Sequence, residues 1–263
     1  MQLYRHSLPF SLVFQALLVL GLLSSGCKEG TTALGEYGNV LFNSHGSYDG
    51  AVSLVSNPFL RNSPVIIDLD HPSEDTLLTS LSLHSEPADH AQITKMTGGR
   101  FLVTAKHSGP FSLYVLLPDG ELEDSLAVES ESVDNIDVSE YCIDTVSLSD
   151  DSISLAFECF HDDASVVTLY SNQTVTYYMR GWGTSGNIGL GMLDLEITLD
   201  ETIFDVDIPF PAFASTTVNR VIVNPEGAAS GLHDIFIGHS SSGITLPLSI
   251  DLMGEPFESI PEE

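Results

Sequence analysis

The stretch GRFLVTAKHSGPFSLYVLLPDGELEDSLAVE, residues 99–129, contains the pattern that decides the fold. Apolar and polar side chains alternate in it, as in Leu113-Tyr114-Val115, and Asp119-Gly120 separates two of its apolar runs. Alternation with a period of two is typical of a strand that buries one face, and Asp-Gly between two such runs indicates a hairpin. The stretch therefore predicts consecutive strands joined by tight turns.

Short runs of the same kind continue on both sides of this stretch, and no window after residue 26 has the pattern of an amphipathic helix. The runs are 40–42, 65–69, 77–83, 101–104, 113–116, 125–128, 143–148, 153–160, 166–170, 175–179, 193–199, 218–223, 235–237 and 246–250. Many short strands separated by turn residues are typical of β-sandwiches. We predict an all-β chain with two tandem antiparallel β-sandwich domains.

The acid-rich segment ESESVDNIDVSE, residues 129–140, separates two groups of these strands. We place the first sandwich at 37–130, the second at 131–254 and an acidic tail at 255–263. The pattern that begins at Ser108-Gly109 recurs without gaps at Ser230-Gly231, and both copies predict the last hairpin of a sandwich.

Residues 99–129 resemble the C-terminal half of bacterial immunoglobulin-like domains. Those domains end with a strand into Thr-Ala, a glycine-containing turn, an alternating strand, an Asp-Gly turn and a final strand. The resemblance implies an immunoglobulin-like sandwich. It implies no particular activity, because such folds host many functions.

The first 26 residues have the three parts of a secretory signal: Arg5 without any acid, a mostly apolar run at 8–23, and the small residues 24–26. The ending LSSGC resembles the lipobox of bacterial lipoproteins, although Ser24 stands where an aliphatic residue is usual. The resemblance implies cleavage before Cys27, a lipid on its thiol and, because Lys28 follows, the outer membrane. The short, polar, glycine-containing segment KEGTTALGE that follows Cys27 predicts a tether at 27–36. Plain secretion and a retained anchor are the alternatives.

The mature chain carries 7 Lys and Arg against 37 Asp and Glu, a formal charge of 7 − 37 = −30, because the signal holds one basic residue and no acid. This charge argues against nucleic acid, whose binding depends on Lys and Arg that neutralise phosphates. A hydrophobic content of 43% indicates a folded core. Three alternative explanations account for the acidity: adaptation to salt, calcium binding and an ordinary acidic surface.

Cys142 and Cys159 lie in YCIDTVSLSDDSISLAFECF, residues 141–160. A two-residue loop at Asp150-Asp151 pairs residues whose numbers add up to 301, so the two cysteines are directly opposite. Such a non-hydrogen-bonded pair brings the Cα atoms to about 4.5 Å, within the disulfide range. We predict a disulfide in an oxidising compartment; two buried thiols are the alternative.

Two acidic clusters are candidate calcium sites, because calcium takes six to eight oxygen ligands. Solvated loop acids are the alternative, and neither cluster matches an EF-hand loop. The first cluster contains Asp68, Asp70, Glu74 and Asp75, and the second contains Glu129, Glu131, Asp134, Asp137 and Glu140.

The segment TYYMRGWGTSGNIGLG, residues 176–191, places Tyr178 and Trp182 beside glycines, where they could stack on a sugar or a partner; a core role beside a flexible turn is the other interpretation. The segment GHSSSG, residues 238–243, approaches the lipase elbow G-x-S-x-G, but its fifth residue is Ser242. We interpret it as a hairpin turn. No zinc motif and no catalytic residue are predicted.

The sequence therefore predicts a non-enzymatic, structural or protein-interaction role for a lipid-anchored protein of the cell envelope. Its predicted partners are the membrane, through the lipid on Cys27, and an envelope protein or surface polymer, with no nucleic acid and no cofactor. The alternative is a calcium- or carbohydrate-binding module, and a hydrolase that uses Ser240 is a more remote one.

Overall fold

The computed structural model describes residues 32–44, 54–70, 79–149, 152–161, 164–208, 219–225 and 230–254. Every regular element in these ranges is a β-strand, so the all-β prediction is confirmed. The same ranges contain no helical segment with the length and apolarity needed to cross a membrane. The predicted signal, Cys27 and the tail 255–263 lie outside the described residues.

The first nine strands form two sheets that pack face to face. They are β1 (Thr32–Leu34), β2 (Leu41–Ser44), β3 (Phe59–Leu60), β4 (Val65–Asp70), β5 (Ser82–Glu86), β6 (Ala91–Lys95), β7 (Arg100–Ala105), β8 (Gly109–Leu116) and β9 (Leu122–Glu131). One sheet has the order β1-β2-β4-β7-β6 and the other β3-β9-β8-β5. Alternate residues of both sheets, such as Phe42, Val103 and Leu113, form one buried core. Buried and less buried residues alternate along β7 and β8, as the apolar–polar alternation of residues 99–129 predicts.

The other nine strands form a second sandwich. They are β10 (Val133–Ser149), β11 (Ser152–Phe160), β12 (Val166–Tyr170), β13 (Gln173–Gly183), β14 (Leu195–Thr198), β15 (Phe204–Asp207), β16 (Asn219–Pro225), β17 (Gly231–His239) and β18 (Ile244–Met253). Their sheets have the orders β11-β10-β13-β16-β15 and β12-β18-β17-β14. Tyr177, Val221 and Ile237 are fully buried in a second core.

Both sandwiches have the same topology. The run β2-β4-β7-β6 corresponds to β10-β13-β16-β15, and β5-β8-β9 corresponds to β14-β17-β18. These are the A-B-E-D and C-F-G orders of immunoglobulin domains, so the prediction of tandem immunoglobulin-like sandwiches is confirmed. In each sandwich a short strand, β3 or β12, pairs parallel with the last strand. One further strand, β1 or β11, lies outside strand A.

The repeated sequence pattern marks equivalent hairpins. Strands β8 and β9 are the last antiparallel pair of the first sandwich, and β17 and β18 are the last pair of the second. Their first residues, Gly109 and Gly231, have φ angles of 119° and 134°. This is a region of backbone conformation that glycine adopts readily.

The junction between the sandwiches is interlocked. Strand β9 ends at Glu131 and β10 begins at Val133. Leu60, from the first sandwich, is fully buried in the second core, while Leu190, from the second sandwich, is fully buried in the first. The amide of Leu60 donates to the carbonyl of Leu190 at 2.7 Å. A Cβ atom at Gly189 would lie 2.2 Å from Leu60, so only glycine allows this approach.

The N-terminal segment is bound to the first sandwich by a buried carboxylate. Asp124 is fully buried and accepts hydrogen bonds from the backbone amides of Tyr37, Asn39 and Val40 at 2.8–2.9 Å. Strand β1 lies within the stretch 27–36 that the sequence predicts as a tether, and it pairs with β2. Residues 32–34 of that stretch are therefore part of the sheet.

Candidate interaction surface on the second sandwich

The predicted disulfide between Cys142 and Cys159 is confirmed. The two residues are directly opposite on β10 and β11, with their Cα atoms 4.0 Å apart. Closing a loop of this size stabilises the folded chain by about 3 kcal/mol in the chain-entropy model. The bond fixes the register of an outer strand that no further strand covers in the described part of the sheet.

The β10–β11 hairpin extends beyond the rest of its sheet. Strand β10 has 17 residues, which corresponds to a length of about 55 Å at the usual rise of a strand. Its pairing with β13 ends at Thr145, whereas its pairing with β11 continues to Ser149. Beyond Thr145 the hairpin is therefore a two-stranded ribbon, with no third strand beside it among the described residues.

Apolar side chains are exposed on the outer face of this hairpin. Tyr141 and Ile143 pack on the second core, so alternate residues, including Val146, point away from it. Leu155 is opposite Val146 and is 77% exposed, and Phe157 on the same face is 63% exposed. The three side chains form a continuous apolar row, which is unusual on a solvated surface and indicates an interaction site.

Residues of the second candidate calcium cluster and of the candidate stacking segment 176–191 lie on the same outer face, on β10 and β13, closer to the junction. Asp137 is opposite Arg180, and Glu140 is opposite Tyr178. Burial raises the pKa of Asp137, although the side chain of Trp182 and the charge of Arg180 act in the opposite direction. Candidate calcium ligands and candidate stacking residues are thus neighbours in the sheet, although the sequence places them in two separate segments.

The aromatic rings of this face are largely covered. Tyr178 is 9% exposed, and the guanidinium of Arg220 lies 5.5 Å from the centroid of its ring. Its other neighbours include Cys142 and Cys159. Trp182 is half-buried. A sugar could therefore reach the face of Tyr178 only if Arg220 moved, and stacking by these two residues stays a prediction.

Among the described residues, one group has metal-ligating atoms close together: Glu140, Cys142 and Cys159, whose ligand atoms lie within 4.8 Å of one another. The two sulfur atoms are joined in the disulfide and are not thiolates. Glu140 is buried, and one of its oxygens lies 3.6 Å from Nε2 of His161. The group is a carboxylate packed beside a disulfide, with an ion pair when His161 is protonated.

Apart from Glu140, no predicted calcium ligand belongs to such a group within the described ranges. Glu74 and Asp75 lie outside those ranges; Asp70, Glu129 and Asp134 are exposed. Glu131 instead accepts hydrogen bonds at the junction, from the amide of Ser185 at 2.8 Å and the hydroxyl of Thr184 at 3.2 Å. Calcium binding by Asp68, Asp70, Asp134 or Asp137 stays a prediction.

The segment GHSSSG contains the end of β17 and the turn that leads to β18. A strand follows it, whereas a nucleophile elbow leads into a helix. Ser240 donates a hydrogen bond to the carbonyl of Asp194 at 3.1 Å, and Nδ1 of His239 lies 2.8 Å from the hydroxyl of Ser242. The turn is held by local hydrogen bonds.

His239 makes the stability of this turn sensitive to pH. Burial lowers the pKa of His239 below its usual 6.5, although the charge of Asp194 opposes the shift. The unfolded chain therefore binds the proton more readily, so stability is complete above pH 6.5 and decreases as the pH falls below it. In urea titrations, the free energy of unfolding of the unaltered chain should fall relative to His239→Asn between about pH 7.5 and 5. A constant difference between the two proteins would contradict this assignment.

The strand order and the two cores define a tandem immunoglobulin-like β-sandwich chain. No family model and no curated protein matches it. The chain is similar to domains 4 and 5 of the S-layer protein SbsC, with 12% identity and a TM-score of 0.32, over 76% of this chain and 92% of that one. A longer SbsC fragment is covered to 22% of its length.

Two further solved structures show similarity of the same order. They are the bacterial integrin-binding protein invasin (15% identity, TM-score 0.29, 85% of this chain and 41% of that one) and the D00-D0 domain of intimin (8% identity, TM-score 0.28, 76% and 97%). At TM-scores this low the similarity assigns neither a family nor a function to the chain.

Proposed function

We propose that this chain is a lipid-anchored protein of the cell envelope with a non-enzymatic, structural or protein-interaction role. The observation that carries the proposal is the β10–β11 hairpin, which exposes Val146, Leu155 and Phe157 beside a strand that is the outermost of its sheet in the part of the chain that the structure describes. Exposed apolar rows on projecting edges are typical of surfaces that bind another chain. The partner is an envelope protein or surface polymer; a formal charge of −30 on the mature chain disfavours nucleic acid.

The proposed anchor holds the first sandwich close to its membrane, which we propose to be the outer membrane. The first strand begins at Thr32, and Cys27 precedes it by five residues. A fully extended segment of that length spans at most about 18 Å. The lipid on Cys27 would supply the attachment, because the acidic chain is repelled by anionic headgroups.

The described residues offer no catalytic arrangement that competes with this proposal. Two serine–histidine contacts occur in them, His90 with Ser130 and His239 with Ser242. Ser130 is 1% exposed, and its hydroxyl donates to the carbonyl of His107 at 2.6 Å. Neither histidine has a hydrogen bond to a carboxylate among the described residues, as a triad requires.

The anchor is tested by lipid labelling and detergent partition of the whole precursor in its own cells. We expect the unaltered protein to incorporate a clickable fatty acid and to enter the detergent phase of Triton X-114. Cys27→Ala should abolish both, whereas the control Cys142→Ala/Cys159→Ala should keep both. Detergent partition that survives Cys27→Ala would contradict lipid anchoring, and protease added to intact cells then distinguishes the outer from the inner face.

A further inference from the structure

We propose that the partner of the β11 edge is a second copy of this chain, paired antiparallel so that two sheets become one across a two-fold axis. This inference rests on the proposed interaction function and names its partner. It starts from the edge of β11 that no described strand covers and from the side chains on either side of Ala156.

The register of the hairpin shows which backbone groups point to the open edge. Val146 donates its amide to the carbonyl of Asn172, on the side of β10 away from β11. Val146 and Leu155 are therefore a non-hydrogen-bonded pair, and Thr145 with Ala156 is a hydrogen-bonded one. It follows that Leu155 and Phe157 direct their amides and carbonyls outward, where a further strand could bind them.

The strand is complementary to itself in the register that this pattern allows. With the two-fold axis at Ala156, Leu155 of one copy is opposite Phe157 of the other, and the two copies exchange hydrogen bonds at both positions. The four side chains, all on the outer face, then form one apolar cluster. Aromatic and aliphatic residues in direct cross-strand contact stabilise a sheet.

The charges within the strand permit pairing with a second copy. Glu158 is the one charged residue of β11, and in this register it is paired with Ser154 of the other copy, so no like charges are opposed within the strand. A basic partner that binds through the negative charge of the chain would need carboxylates at the contact. Leu155 and Phe157 provide none, so their row favours an apolar partner surface. The strand also has no lysine or proline, residues that protect natural edges from pairing.

Such a contact is small, and two anchored copies in one membrane would meet at a high effective concentration. The mature chain with Cys27→Ser should therefore show a reversible monomer–dimer equilibrium by sedimentation. Added salt should favour the dimer, because it screens the repulsion between two acidic chains.

Phe157→Glu should raise the dissociation constant by at least about tenfold, because each copy loses a buried ring and gains a charge. Leu232→Glu is the matched control: Leu232 lies on β17, is also 63% exposed, and the charge change is the same. A chain that stays monomeric at every concentration, or equal effects of the two variants, would overturn the dimer. Membrane anchoring and capture of another envelope protein would be unaffected by that result.

A cross-link tests the register. Two copies of Ala156 would form a non-hydrogen-bonded pair with Cα atoms about 4.5 Å apart, within the disulfide range. Ala156→Cys should give a covalent dimer that reducing agent dissolves, and Val166→Cys, exposed on β12 of the other sheet, should not. Equal cross-linking of the two variants would exclude this register.

Discussion

Asp124→Ala should lower the free energy of unfolding of the first sandwich by about 3 kcal/mol, because it leaves three backbone amides of the N-terminal segment without their acceptor. The carboxylate is fully buried, and its Oδ2 atom accepts two hydrogen bonds, from the amides of Asn39 and Val40. Water cannot replace the bond to Val40 without opening the sheet, since that amide is buried.

Hydrogen exchange is the measurement, and the amides of Tyr37, Asn39 and Val40 should lose protection before the rest of the sandwich. Asp119→Ala is the matched control, since the Asp119 carboxylate accepts one exposed amide, from Glu121 at 3.1 Å. The control should change stability by less than about 0.5 kcal/mol. Unchanged exchange at Val40 in Asp124→Ala would contradict the role of this carboxylate.

Leu60→Ala should destabilise the second sandwich by about 3 kcal/mol, although Leu60 belongs to the first. Its side chain is fully buried in the second core, against Gly181 and Gly189. Trp182 is the single tryptophan of the chain and lies on β13, so its fluorescence reports the second sandwich.

In urea, the Trp182 transition of Leu60→Ala should move to a concentration about 1–2 M lower. Leu122→Ala makes the same change at a position that is 44% exposed, and its transition should stay close to that of the unaltered chain. The reciprocal variant, Leu190→Ala, should instead weaken hydrogen-exchange protection in the first core. A Trp182 midpoint that does not respond to Leu60→Ala would show that the exchanged leucine does not support the second core.

The strand class, the sandwich pair and the disulfide could be predicted because each depends on local pattern. Alternation identifies a half-buried strand, and a two-residue loop sets the pairing of Cys142 with Cys159 over a short distance. The recurrence of Ser108-Gly109 at Ser230-Gly231 identified equivalent hairpins for the same reason. These signals need no knowledge of the rest of the chain.

The junction and the N-terminal attachment could not be predicted because their partners are distant in sequence. Asp124 accepts a hydrogen bond from the amide of Val40, 84 positions away. The sequence around Asp124 does not distinguish this buried acid from the many exposed ones. The glycines around Trp182 suggested a flexible turn, but Gly189 is required by contact with Leu60. The acids of the second candidate calcium site are close in sequence but have different surroundings in the fold. Asp137 lies on the outer face of β10, opposite Arg180. Glu131 instead accepts a hydrogen bond from Ser185 at the junction.

The exchange of Leu60 and Leu190 between the cores has a mechanical consequence. A pull on the tip of the β10–β11 hairpin acts on a long lever arm, and Ser132 alone separates β9 from β10. Turning one sandwich against the other would require both leucines to leave their cores together. A torque applied at the tip is therefore transmitted to the first sandwich, because the exchanged leucines join the two cores.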